Sequence, residues 1–136
     1  MQKIVVETIV EAPIALVWDT FTEPNHVTHW YFASDDWHCP SAENDLKVGG
    51  EFHFQMSAKD GSFGFDFCGI YDVVDHHKHF TYHLADGRVI HVDFEEVEGG
   101  TKVTEQFDPE NQNPPEMQQT GWQMILNNFK KYTESL

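Results

Sequence analysis

Residues 51–56, EFHFQM, place Phe52, Phe54 and Met56 on one side of an extended chain and Glu51, His53 and Gln55 on the other. Strict alternation of this kind marks a strand with one buried face. Working outward, the same period keeps returning. Beyond the turn signal Asp60-Gly61 it continues through Phe63, Phe65, Phe67 and Tyr71, with Gly69 in the same register. Phe80, Tyr82 and Leu84 share one side of 79–84, and Asp86-Gly87 turns the chain. Ile90, Val92 and Phe94 then alternate with His91, Asp93 and Glu95, and Gly99-Gly100 leads into Val103, Glu105 and Phe107. Five successive strands joined by short turns predict an antiparallel meander.

Upstream, residues 3–10 are rich in Val, Ile and Thr and read as a further strand, with Val5 and Ile9 making its second face partly apolar. Ala12-Pro13 opens a helix that carries Ile14, Val17, Trp18 and Phe21 at helical spacing to about Thr22. Pro24 starts a short second helix bearing Val27 and Trp30. Residues 33–48 show no period and contain Asp35-Asp36, Pro40 and Asn44-Asp45, which predicts a long loop. Downstream, DPENQNPP at 108–115 breaks the chain, and a final helix runs from about Pro114 to Ser135. Its apolar stripe is Met117, Gly121, Ile125, Phe129 and Tyr132, widened by Trp122 and Leu126. The expected fold is therefore α+β: a six-stranded curved antiparallel sheet wrapped around a long C-terminal helix, with two short helices after strand 1. Residues 1–136 are expected to form a single domain.

Composition narrows the functions. Hydrophobic residues make up 40% of the chain and aromatics 14%, enough for a real core. Eight Lys+Arg against 23 Asp+Glu give a formal charge of −15. Without basic clusters to displace counterions, nucleic acid is not an expected partner, and anionic membranes are disfavoured for the same reason. Glu7 and Glu11 interrupt what a signal peptide would need as an apolar stretch, and no run is long enough for a spanning helix. Cys39 and Cys68 form no paired motif, so two free thiols in a reducing cytoplasm are expected.

One helix is about 10 Å wide, whereas six strands at about 4.8 Å spacing span far more. The sheet must curl, and the mismatch predicts interior volume suited to a small molecule. Gly121 on the buried stripe costs about 1 kcal/mol relative to Ala. Either backbone or ligand approaches it closely, or an aromatic ring packs over it.

The run from Ala12-Pro13 through Val17-Trp18, then Pro24 and Trp30, then Gly49-Gly50 with alternating aromatics, resembles the START-like (SRPBCC, Bet v 1-like) superfamily. Within it the chain is similar to the group related to the C-terminal domain of the activator of heat-shock protein 90 ATPase. Residues 99–104, Gly-Gly-Thr-Lys-Val-Thr, and Gly121-Trp122 carry that similarity too. The resemblance implies a helix-grip fold with a cavity between sheet and last helix. Relatives in the superfamily bind lipids, sterols, polyketides or plant hormones, and some are cyclases or hydrolases.

Glu105 is the sharpest anomaly, since alternation points its carboxylate into an apolar interior. It could anchor a ligand, serve as a general acid/base, or pair structurally with a Tyr, His or backbone donor near the sheet's mouth. The inward faces of the strands supply candidate ligand contacts in Phe52, Phe54, Met56, Phe65 and Phe67, with Phe94 further along and the hydroxyls of Tyr71 and Tyr82 for orientation. The helix adds Gly121, Trp122 and Ile125. Trp30 and Trp37, with Phe32, flank or occupy the 33–48 loop as either a plug or a lid. His76, His77, His79 and His83 cluster in sequence, but His79 and His83 would lie roughly 13 Å apart on a strand, too far for one ion. No metal or cofactor is expected, and no nucleophile motif is present. The leading expectation is a binding protein for a small hydrophobic or amphipathic molecule. The alternatives are an enzyme of the polyketide cyclase/hydrolase type, with Glu105 and a Tyr as acid/base pair, or a domain that interacts with a chaperone ATPase.

Overall fold

The computed structural model describes residues 3–136. The chain begins with strand β1 (Ile4–Val10), followed by helices α1 (Ile14–Thr22) and α2 (Pro24–Val27). Six more strands follow: β2 (Trp37–Asn44), β3 (Glu51–Ala58), β4 (Gly64–Asp75), β5 (His79–His83), β6 (Val89–Val97) and β7 (Gly100–Phe107). The long helix α3 (Pro115–Glu134) ends the fold. All strands join one antiparallel sheet in the order β1-β7-β6-β5-β4-β3-β2. The chain leaves β1 at one edge, crosses through α1 and α2, enters β2 at the far edge, and returns strand by strand until β7 lies beside β1.

The sheet has seven strands rather than the six expected, because the stretch predicted as a loop at 33–48 contains β2. That strand pairs with β3 on one side only, and a bulge between His38 and Ser41 surrounds the exposed Pro40. Proline and bulges are tolerated at a sheet edge, where the missing N–H costs no ladder bond. Two smaller expectations also change. Helix α2 ends at Val27, so Trp30 lies in the following turn, fully buried, its indole N–H donating to the Thr20 carbonyl at 3.0 Å. Phe63 precedes β4 and is 61% exposed, its ring near the indole of Trp37 instead of continuing the inner row, while Phe65 keeps to the row opposite Met56 but is 42% exposed.

Helix α3 seals the other edge. The Gln119 amide donates to the Val5 carbonyl at 3.3 Å, Gln123 contacts Glu7 through both its amide atoms, and Lys130 donates to the Ile9 carbonyl. Glu134 accepts from the Glu11 N–H at 2.8 Å. From Gln119 to Glu134 the helix rises about 22 Å, and from Val5 to Glu11 a strand advances about 20 Å, so helix and strand stay in step. Covering an unpaired edge in this way removes a template for aggregation. It also fixes α3 at the β1 side of the curl, leaving the far strands to arch over it.

Between them the core is aromatic. Trp18, Phe21, Phe80 and Phe94 meet mostly edge-on with ring centroids 5.0–5.9 Å apart, and Phe129 of α3 packs on Phe21 and Trp30. Each fully buried ring of this kind contributes roughly 1.5–3 kcal/mol. Gly69 faces Phe52 across the β3–β4 ladder, and a Cβ there would come within 2.8 Å of the Phe52 ring. Its lack of a side chain lets that ring lie against the neighbouring strand.

Candidate functional site

The curl leaves an open groove of about 390 Å³ between the N-terminal half of α3 and the β3–β4 side of the sheet. Small-molecule sites occupy roughly 300–1,000 Å³. The sheet wall presents Met56, Phe65 and Phe67, and the helix presents Met117, Gly121, Trp122 and Ile125. Trp122 forms the floor, its ring 4.1 Å from Phe107 and edge-on to Phe67 at 5.9 Å. Tyr31, from the turn after α2, stacks on Phe67 at 5.8 Å and closes one end. Polar groups gather around the walls: Arg88 from the β5–β6 turn, Glu110 and Asn113 from the connection before α3, and Gln118.

That connection is held in place. Gln118 accepts from the Glu110 N–H at 2.9 Å and donates to the carbonyls of Glu110 and Asn113. Arg88 is oriented by Asp86, which accepts from its Nε at 2.8 Å. Arg88 is the chain's single arginine.

Gly121 settles its two alternatives in an informative way. A Cβ built there would meet nothing within 4 Å, so no aromatic ring packs over it and no backbone crowds it. It faces the space of the groove.

The sequence-derived candidates divide into groups. Met56, Phe65, Phe67, Gly121, Trp122 and Ile125 line the groove together. Phe52, Phe54, Tyr71 and Tyr82 surround a separate interior void of about 10 Å³, no larger than a water, so the deep part of the expected hollow is filled by side chains. Trp30 and Phe94 are core residues that do not reach the groove. Trp37 belongs to β2 and packs near Phe63 and Phe65, so it is part of the sheet rather than a loop lid.

Glu105 does point inward, at 5% exposure, and burial pushes its carboxyl up to about 8. It pairs with Val92 of β6 and is not among the residues that line the groove. Its charge is felt by Tyr31 and Tyr82, whose own hydroxyls are held protonated chiefly by burial. Tyr31 is thus the link between this inner polar group and the groove.

Tyr31 and Arg88 are lining residues that periodicity missed, whereas Met117 stood on the expected helical stripe without being counted among the candidate contacts. Tyr31 and Arg88 lie in turns, where no period exists; the uniqueness of Arg88 in so acidic a chain was the available signal. The sequence-clustered histidines disperse. His76 and His77 cover the edge of Trp18 at 5.4 and 5.9 Å, while His79 pairs with Asp93 at 2.6 Å and His83 with Asp72 at 2.9 Å. A broader depression of about 530 Å³ lies where β1 and α3 begin, but Lys3, Glu110 and Glu116 make its lining charged. Among the described residues no helix is long and apolar enough to cross a membrane.

A curled antiparallel sheet holding a C-terminal helix, with a groove opening beside that helix, is the helix-grip architecture of the START-like class. Residues 11–134 match the family of Activator of Hsp90 ATPase homolog 1-like proteins, and the chain belongs to that family. Among solved structures it is similar to the AHSA1-like protein of Aeromonas hydrophila, at 43% identity and a TM-score of 0.92 over 98% of this chain and 93% of that one. Chr148 of Cytophaga hutchinsonii is 50% identical with a TM-score of 0.84, covering 98% of this chain and 92% of that one. Protein CV1439 of Chromobacterium violaceum shares the fold at 20% identity and a TM-score of 0.86, over 98% and 99% of the two chains. No curated protein matches the chain significantly.

Proposed function

We propose that the protein binds a small hydrophobic or amphipathic molecule in the groove between α3 and the β3–β4 wall. The observation that carries this reading is the space over Gly121, flanked by Trp122 and Ile125 and faced by Phe67 and Met56. An apolar trough with a few oriented polar groups along its walls has the make-up of a small-molecule site. Arg88 and Gln118 supply such groups, each held by its own hydrogen bonds. Two free thiols suit a cytoplasmic setting.

Binding is favoured over catalysis because Glu105, the strongest acid/base candidate, is buried and is not among the residues that line the groove. The test is displacement of 1-anilinonaphthalene-8-sulfonate from the untagged protein by a panel of fatty acids, sterols and aromatic polyketides. A panel member should displace the dye and raise the melting temperature progressively with the logarithm of its concentration. Equal dye binding by wild type and by Gly121→Trp would show that the groove is not the site.

A further inference from the structure

The outer face of the sheet carries a second constellation, independent of the groove. Because Phe52 and Phe54 point inward, His53 between them points out, and the β3–β4 register sets it directly opposite Cys68. Asp66 lies two residues before Cys68 on the same face of β4. The imidazole, thiol and carboxylate converge so that one ligand atom from each lies within 4.8 Å of the others, and His53 Nδ1 is 2.7 Å from the Asp66 carboxylate. Directly opposed positions on neighbouring strands have Cβ atoms about 4.5–5.5 Å apart, so the backbone itself holds the pair at chelating distance.

We infer that His53, Asp66 and Cys68 form a surface site for a divalent transition-metal ion, zinc in the first instance, with water completing a four-coordinate sphere. Imidazole, thiolate and carboxylate are all zinc ligands, and the thiolate selects against hard ions such as magnesium and calcium. Glu43, opposite His53 on β2, and Glu51 add negative field on the same side. The formal charge of −15 draws cations to the surface in general. His53 and Asp66 are 40% and 45% exposed in their side chains, which leaves room for entry and for the water ligand. On binding, the metal takes the place of the proton between His53 and Asp66 and of the Cys68 thiol proton. No electron transfer is involved.

The same face carries internal controls. His79–Asp93 and His83–Asp72 are imidazole–carboxylate pairs of similar length, yet among the described residues only the His53 pair gains a third donor. Both His53 and Cys68 hold their protons more tightly than usual, His53 chiefly through its hydrogen bond to Asp66 and Cys68 through burial.

The experiment titrates cobalt(II) chloride, then zinc chloride, into reduced, untagged full-length protein. Wild type should bind one cobalt per chain with a thiolate-to-metal charge-transfer absorption that zinc abolishes. Cys68→Ser should lose the absorption, and Cys68→Ser, His53→Gln and Asp66→Asn should each weaken zinc binding by about tenfold or more. His79→Gln should bind as wild type does, and melting curves would confirm that all variants fold. Lack of the absorption in wild type overturns the site. So does an absorption that survives both His53→Gln and Asp66→Asn, which would leave a solitary thiol.

Discussion

The Gln123 carboxamide brackets the backbone of Glu7, accepting from its N–H at 3.4 Å and donating to its carbonyl at 3.1 Å. One helical side chain thereby makes the two hydrogen bonds that a neighbouring strand would make at an open edge. Exposed bonds of this type contribute roughly 0.5–1.5 kcal/mol each. Gln123→Ala should lower stability by about 1 kcal/mol in urea denaturation. It should also speed hydrogen exchange at the Glu7 amide more than at residues of β6. Unchanged exchange at Glu7 would mean that packing alone holds α3 to β1.

A second prediction concerns the far edge. Tyr71 donates to Asn44 Oδ1 at 2.7 Å, and Asn44 Nδ2 donates to the Thr22 carbonyl at 2.7 Å. This chain ties β4, β2 and the end of α1 through one half-buried amide. Asn44→Ala should cost about 1–3 kcal/mol by leaving both partners unsatisfied, and Tyr71→Phe about 1 kcal/mol. Since the two share one bond, the double variant should fall short of the sum by at least about 0.5 kcal/mol in a thermodynamic cycle.

Those two edges show why the fold was only partly legible in the sequence. The central strands each bury one face, so Phe52-Phe54-Met56 and Ile90-Val92-Phe94 write their period into the chain. Strand β2 buries only Cys39 fully and pairs on one side, so nothing in WHCPSAEN forces alternation. The groove was legible where it borrowed periodic residues, such as Phe67 on β4 and Ile125 on α3. It was illegible at Tyr31 and Arg88, which reach it from turns. The His53–Cys68 apposition depends on strand register, which alternation alone does not specify.

The third prediction follows from Glu105, whose carboxyl is raised from 4.5 to about 8 by burial. The native state therefore holds this proton more tightly than the unfolded chain does. Stability from this group is fully present below about pH 4.5 and is lost as pH rises through about 8. At 1.36 kcal/mol per unit the loss has an upper bound of roughly 5 kcal/mol. Glu105→Gln cannot ionise, so its advantage over wild type should grow steadily from pH 5 to about pH 8. Parallel pH profiles for the two proteins would show that the carboxyl is neither dry nor perturbed.

The last prediction tests the groove without disturbing the core. Gly121 lies inside α3, where glycine costs about 1 kcal/mol relative to alanine, and a Cβ there meets no atom within 4 Å. Gly121→Ala should therefore raise stability by about 1 kcal/mol and leave most of the groove free. Gly121→Leu should keep the stability but project into the space beside Trp122 and Ile125, weakening ligand or dye binding by about tenfold or more. Stability and binding then move in opposite directions along one series, which a purely structural glycine would not produce. If leucine instead unfolds the protein while alanine leaves stability unchanged, the space above residue 121 is closed in solution and the binding reading fails with it.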